Sequence, residues 1–139
     1  MKPYEFFDHT ADVGVHVTGA TLPELFVNAA QAMYETLGQL QKSGAGDQKP
    51  VSMEAGTLED LLHDWLADLL YEVETNHLLY DDFEIHELEP QRLTATLRGA
   101  EIDFDRSRSS QEIKAVTYHQ LRVEQLEDDS WRATVIFDV

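Results

Sequence analysis

Asp8, His9 and Asp12 crowd one short segment of the sequence, FFDHTADVGVHVTG, and Asp138 and Val139 close its far end in TVIFDV. The first three fall at a turn between two strand-like runs. At the other end, the Asp138 side chain stands beside the α-carboxylate of Val139. If the fold joins these segments, it builds an oxygen-rich site suited to a hard cation such as Ca²⁺ or Mg²⁺. Without a cation, so many negative charges in one place repel one another. The residues also allow simpler roles. Asp and Thr in turns bond their own backbone, and His9 reads as a ligand, a base or a hydrogen-bonded structural residue. A strand that merely ends in solvent would account for FDV.

A third group is IKAVTYH, with Lys114, Tyr118 and His119. As one strand it would place Lys114 and Tyr118 on one face and His119 on the other. Lysine and tyrosine serve acid–base chemistry, but no nucleophile stands beside them. No G-x-S-x-G, P-loop or H-E-x-x-H occurs. Cysteine is absent, which excludes disulfides, thiolate zinc sites and cysteine nucleophiles and suits a reducing cytoplasm.

Other features narrow the class further. The formal charge of −17 repels phosphate backbones and favours cations and basic protein surfaces. It also simply keeps a small protein dispersed. The 139 residues make one domain with one core. No secretory signal or membrane-length apolar run is visible, so a cytoplasmic location is expected.

The elements that must position these groups are legible in part. YEFFDH and VGVHVTG read as strands, with Val13, Val15 and Val17 alternating with Gly14, His16 and Thr18. Thr21, Pro23 and Glu24 open a helix that Gly38 ends. QLQKSGAGDQKP reads as a polar, mobile loop, and PVSMEAG as a strand. Thr57 opens a second helix, whose apolar stripe runs from Leu58 to Val73. His63, Asp64, Asp68 and Glu72 face away from that stripe, and the helix ends at Asn76 or His77. LLYDDFEIHELE and RLTATLRGAEI read as strands around a Glu89–Gln91 turn. EIDFDRSRSSQ is a polar stretch. EIKAVTYHQLRVEQLE and SWRATVIFDV read as strands, the second running to its last residue. The pattern predicts an α+β two-layer sandwich, with two amphipathic helices on one face of a largely antiparallel sheet.

FDHTADVGVHVTG, LLHDWLADLLYEVET, IKAVTYH and the final FDV together resemble the archease family in order and spacing, over essentially the whole chain. The resemblance implies an activator of RtcB-type RNA ligases, which join RNA ends bearing a 2′,3′-cyclic phosphate or 3′-phosphate to a 5′-hydroxyl in tRNA splicing and RNA repair. Such a protein promotes formation of the ligase–guanylate intermediate and multiple turnover, without being an enzyme itself. It implies Asp12, Asp138 and the Val139 carboxylate as metal ligands, with calcium as the associated ion and magnesium as an alternative. Asp8, His9, Lys114 and His119 become candidates for partner-facing or supporting roles. Two other readings stand beside this one. One is a chaperone or specificity modifier for RNA-modifying enzymes. The other is a metal-dependent hydrolase built on Asp8, His9 and Asp12.

Overall fold

The computed structural model describes residues 3–9 and 12–139, with the backbone alone at Asp8, His9 and Ala45. Strands β1 (Tyr4–His9) and β2 (Asp12–Gly19) form an antiparallel pair. Helix α1 (Leu22–Leu37) follows at once. Thr21 caps it, its hydroxyl accepting the Glu24 N–H at 3.2 Å, and Pro23 lies in the first turn, where its missing N–H costs nothing. Helix α2 (Leu58–Tyr71) starts in the same way, with Thr57 Oγ1 accepting from the Asp60 N–H at 3.1 Å. A π-helical turn, Glu72–Asn76, prolongs α2, and His77 ends it in the left-handed region at φ 56°.

The strands divide into separate antiparallel ladders. One sheet runs β1-β2-β10-β8, with β10 (Trp131–Asp138) also pairing β9 (Arg122–Gln125); β8 is Ala115–Val116. A second runs β4-β6-β5, from β4 (Lys42–Glu54), β5 (Leu78–Glu89) and β6 (Arg92–Ile102). A short ladder joins β3 (Gly38–Gln39) to β7 (Arg108–Ser109). The class is α+β, and the buried residues of both helices and both larger sheets form one cluster. Trp65 sits at its centre, fully buried, donating its indole N–H to the Phe26 carbonyl at 3.0 Å and touching the Phe83 ring.

Three sequence expectations need correction. The segment expected to be a mobile loop forms β3 and much of β4. Glycines and polar residues suit an edge strand whose pairing comes from one neighbour, β6, so its composition resembles that of a loop. The expected long strand through Lys114–His119 is only Ala115–Val116. Thr117 spends both its N–H (3.1 Å) and its hydroxyl (2.9 Å) on the Ile136 carbonyl, and Gln120 adopts φ 53°, which ends the ladder. Lys114 and Tyr118 therefore share no strand face. Strand β10 stops at Asp138 and not at Val139.

Gly99 marks where the second sheet is tightest. A Cβ there would enter the Leu79 carbonyl and crowd the Tyr80 backbone, beside the irregularity between Tyr80 and Asp82. Because the obstacle is backbone, Gly99→Ala should destabilise by about 2–3 kcal/mol or more. Denaturant unfolding measures this; a loss under about 0.5 kcal/mol, the size of an ordinary surface change, would show that the strands part freely.

Candidate functional site

Strand register builds the site. Asp138 of β10 lies directly opposite Asp12 of β2. The same row continues to His9 on β1 and Ala115 on β8, so it crosses four strands. Alternation sends the neighbours Val13 and Phe137 to the helix-packed side, where Phe137 is fully buried. Asp12 and Asp138 thus stand on the opposite face, both half-buried. Directly opposed residues have Cβ atoms about 4.5–5.5 Å apart, and like charges so placed destabilise a sheet.

Chain connectivity brings two more groups to this end. Val139 follows Asp138 and packs half-buried against the core. The Lys114 N–H donates to the Asp138 carbonyl at 2.7 Å, tying the 109–114 segment to the acid pair; its side chain is exposed. His119 lies in the turn after Thr117, with its N–H donating to Thr117 Oγ1 at 3.3 Å. The side chains of Asp8 and His9 lie outside the described residues. Among the described residues, no three His, Cys, Asp or Glu side chains converge on a metal position. The described oxygens at this sheet end are the side-chain carboxylates of Asp12 and Asp138 and the Asp138 carbonyl. All are hard oxygens, which fits Ca²⁺ or Mg²⁺ by donor type.

The motif glycine in DVG has a packing role. The Phe7 ring lies over Gly14, where a Cβ would collide with it, and stacks on His16 at 4.5 Å. Phe7 and Gly14 are cross-strand partners two residues from the Asp12 row. His16 in turn meets Thr134 Oγ1 at 3.1 Å, linking β2 to β10.

A pair of residues beside this sheet end is not evident from spacing. His63, expected on the outward side of α2, donates Nε2–H to the Val116 carbonyl at 2.8 Å, and its Nδ1 lies 3.1 Å from Asp64. Tyr118 stacks on it with ring centroids 3.9 Å apart and planes 13° from parallel. Slight desolvation of this exposed side chain, followed by the charges of Asp64 and Asp60, raises the Tyr118 pKa. His63 thus pins the KAVTYH segment to α2. Replacing it by Ala should cost about 1–2 kcal/mol. The same change should abolish the ring-current shifts of Tyr118 in proton NMR; unchanged Tyr118 shifts would deny the stacking.

The acid pair stands at the end of a sheet, on a small acidic α+β protein. The fold and these segments have known relatives, and the chain belongs to the archease family: the archease protein family (MTH1598/TM1083) matches residues 4–139. Protein archease of Methanopyrus kandleri is 35% identical over 140 residues, covering 99% of both chains. Protein archease of Methanothermobacter thermautotrophicus is 37% identical over 142 residues, covering 100% of both. The solution structure of Methanobacterium thermoautotrophicum protein 1598 superposes with a TM-score of 0.76 at 31% identity, over 100% of both chains. The crystal structure of an archease from Thermotoga maritima, described as a possible chaperone, gives 0.69 at 26% identity, covering 96% of this chain and 94% of that one.

Proposed function

We propose that this protein is a non-catalytic activator of an RtcB-type RNA ligase, and that Asp12, Asp138 and the Val139 carboxylate hold a divalent cation, Ca²⁺ or Mg²⁺, for that task. The observation that supports it is the direct opposition of Asp12 and Asp138 across β2 and β10. Two carboxylates at that spacing reach one cation with oxygen distances of about 2.4 Å. A bound cation would supply positive charge against phosphate oxygens. The protein's own part is to place the two acids on neighbouring strands of one sheet. Asp12 and Asp138 are each fixed by strand pairing, and the Lys114 N–H fixes the Asp138 backbone. Guanylyl transfer depends on positioning and charge neutralisation, so a partner can promote it without a nucleophile.

The −17 charge favours a basic enzyme surface over RNA as the partner. Among the described residues no helix is long and apolar enough to cross a membrane. The decisive experiment is single-turnover guanylylation of a purified RtcB-type ligase with and without this protein. Acceleration at substoichiometric amounts is expected, weakening as salt shortens the Debye length below about 10 Å. An unchanged rate at low salt would remove this reading. The Thermotoga relative's description as a possible chaperone favours a second one, which broad protection of unrelated clients would support.

Cation binding has its own readout. Ca²⁺ at about 100 times its Kd should add about 2.7 kcal/mol of stability, a melting shift of roughly 5–10 °C. Asp12→Asn should remove that shift. An equal shift in wild type and variant would place the cation elsewhere.

A further inference from the structure

On the side of the molecule where α2 ends, a cleft of about 520 Å³ opens between the π-helical turn and the 102–112 segment. Its floor is apolar: Leu37, Val73 and Ile102 are buried core residues that also line it. Its wall is Phe104, a large apolar side chain left 57% exposed. The Phe104 ring is held edge-on against His77 at 5.2 Å and 86°, and His77 is itself fixed by its left-handed backbone at the helix end. Glu74 and Glu112 also line the cleft. Partial burial, followed by the neighbouring charge of Glu112, raises the Glu74 pKa.

These features define the occupant by exclusion. Two carboxylates beside an apolar floor reject an anionic ligand, so phosphates and nucleic acids do not fit. A wholly apolar occupant would bury those charges unpaired, which is costly. A cation relieves their repulsion, and an apolar neighbour covers the floor and Phe104. Protein segments carry this combination as Lys or Arg beside Leu, Ile or Phe, and such side chains anchor interfaces.

Position supports a protein occupant as well. Ser110 and Gln111 line both this cleft and the next depression, which reaches Val13 beside Asp12. Glu112 is followed by fully buried Ile113 and by Lys114, whose N–H holds the Asp138 carbonyl. The 110–114 segment thus runs from the cleft to the backbone of Asp138, whose side chain stands on the other face of the first sheet. We infer that the Glu74–Glu112–Phe104 cleft is an anchoring site for a basic–apolar segment of the protein partner. The partner's identity rests on the reading above, while the chemistry of the cleft does not.

The test is an amide NMR titration of the full chain with three short capped peptides. One alternates Arg and Leu, one replaces each Arg by Gln, and one replaces each Leu by Ser. Only the first should shift the amides of Ile102, Phe104, Gln111 and Glu112. Its binding should weaken roughly tenfold in Phe104→Ser and in the double variant Glu74→Gln with Glu112→Gln. These changes are at exposed positions, and preserved dispersion elsewhere in the spectrum verifies the fold. Equal shifts with the Gln peptide, or shifts confined to Asp12 and Asp138, would overturn the inference, as would no shift at all. No ligase is present, so failure of the ligase reading leaves this result unchanged.

Discussion

Asp138→Ala is expected to abolish stimulation of ligase guanylylation while leaving the protein at least as stable as wild type in cation-free buffer. Asp138 is half-buried at the end of β10, outside the core, and opposes Asp12. Removing one carboxylate of a like-charged cross-strand pair relieves repulsion of roughly 0.2–1 kcal/mol. The strand's backbone bonds, including Lys114 N–H to the Asp138 carbonyl, need no side chain and survive the change. Loss of one of three proposed donors should remove cation binding at ordinary concentrations. One residue added after Val139 isolates the carboxylate's part, because it moves that charge by about 3.3 Å and onto the other face of an extended chain. The measurements are single-turnover guanylylation and thermal unfolding with and without Ca²⁺. Full stimulation by the Ala variant would sink the proposed role of the acid pair; full stimulation by the extended protein would remove only the terminal carboxylate.

The largest stability effect of a single side-chain truncation outside the apolar core is expected at Lys49. Glu72 is only 4% exposed, and it accepts from Lys49 Nζ at 2.8 Å and from the Asn76 amide at 2.5 Å. Burial alone would push its carboxyl up, but these two donors and the Lys49 charge more than offset this and hold it below its usual range. Lys49→Met leaves the carboxylate buried with Asn76 alone. Breaking a fully buried pair costs about 3–5 kcal/mol. Lys49 is a third exposed, so about 2–3 kcal/mol is the expectation here. Pairing the change with Glu72→Leu should recover most of that loss, since an apolar pair of similar volume needs no partner. The pH dependence has a definite sign. A depressed carboxyl stabilises above its unfolded value of about 4.3, and the contribution fades as pH falls through the lower native value. Wild type should therefore lose stability below about pH 4 more steeply than the double variant. Parallel acid profiles from urea unfolding would show that Glu72 titrates as in the unfolded chain.

The same pair explains where sequence and structure part. Thr21 and Thr57 were legible as helix starts because capping chemistry is local, and β2 was legible because its valines alternate. Glu72 reads as an outward residue because it flanks the apolar stripe of α2. It is buried because β4, whose glycines and lysines read as a loop, passes over it with Lys49. One error produced the other. His63 departs from its outward position for the same reason: its partners, the Val116 carbonyl and the Tyr118 ring, arrive from more than fifty positions away. In the candidate site, both acidic segments were visible as strand ends. What periodicity could not supply is the register that sets Asp12 against Asp138, since that depends on which strands become neighbours.

That neighbour relation has a consequence during synthesis on the ribosome. Strand β10 follows every other element in the chain yet sits inside the first sheet, between β2 and the β8–β9 edge. His16 and Thr134, which meet across this seam, are 118 positions apart. Until β10 emerges, β2 presents an unpaired edge to other nascent chains, and β8 and β9 have no ladder to join. Such distant pairing closes slowly. A chain cut short before β10 would therefore carry both helices but half of the acid pair, and would expose a sticky strand edge to proteolysis.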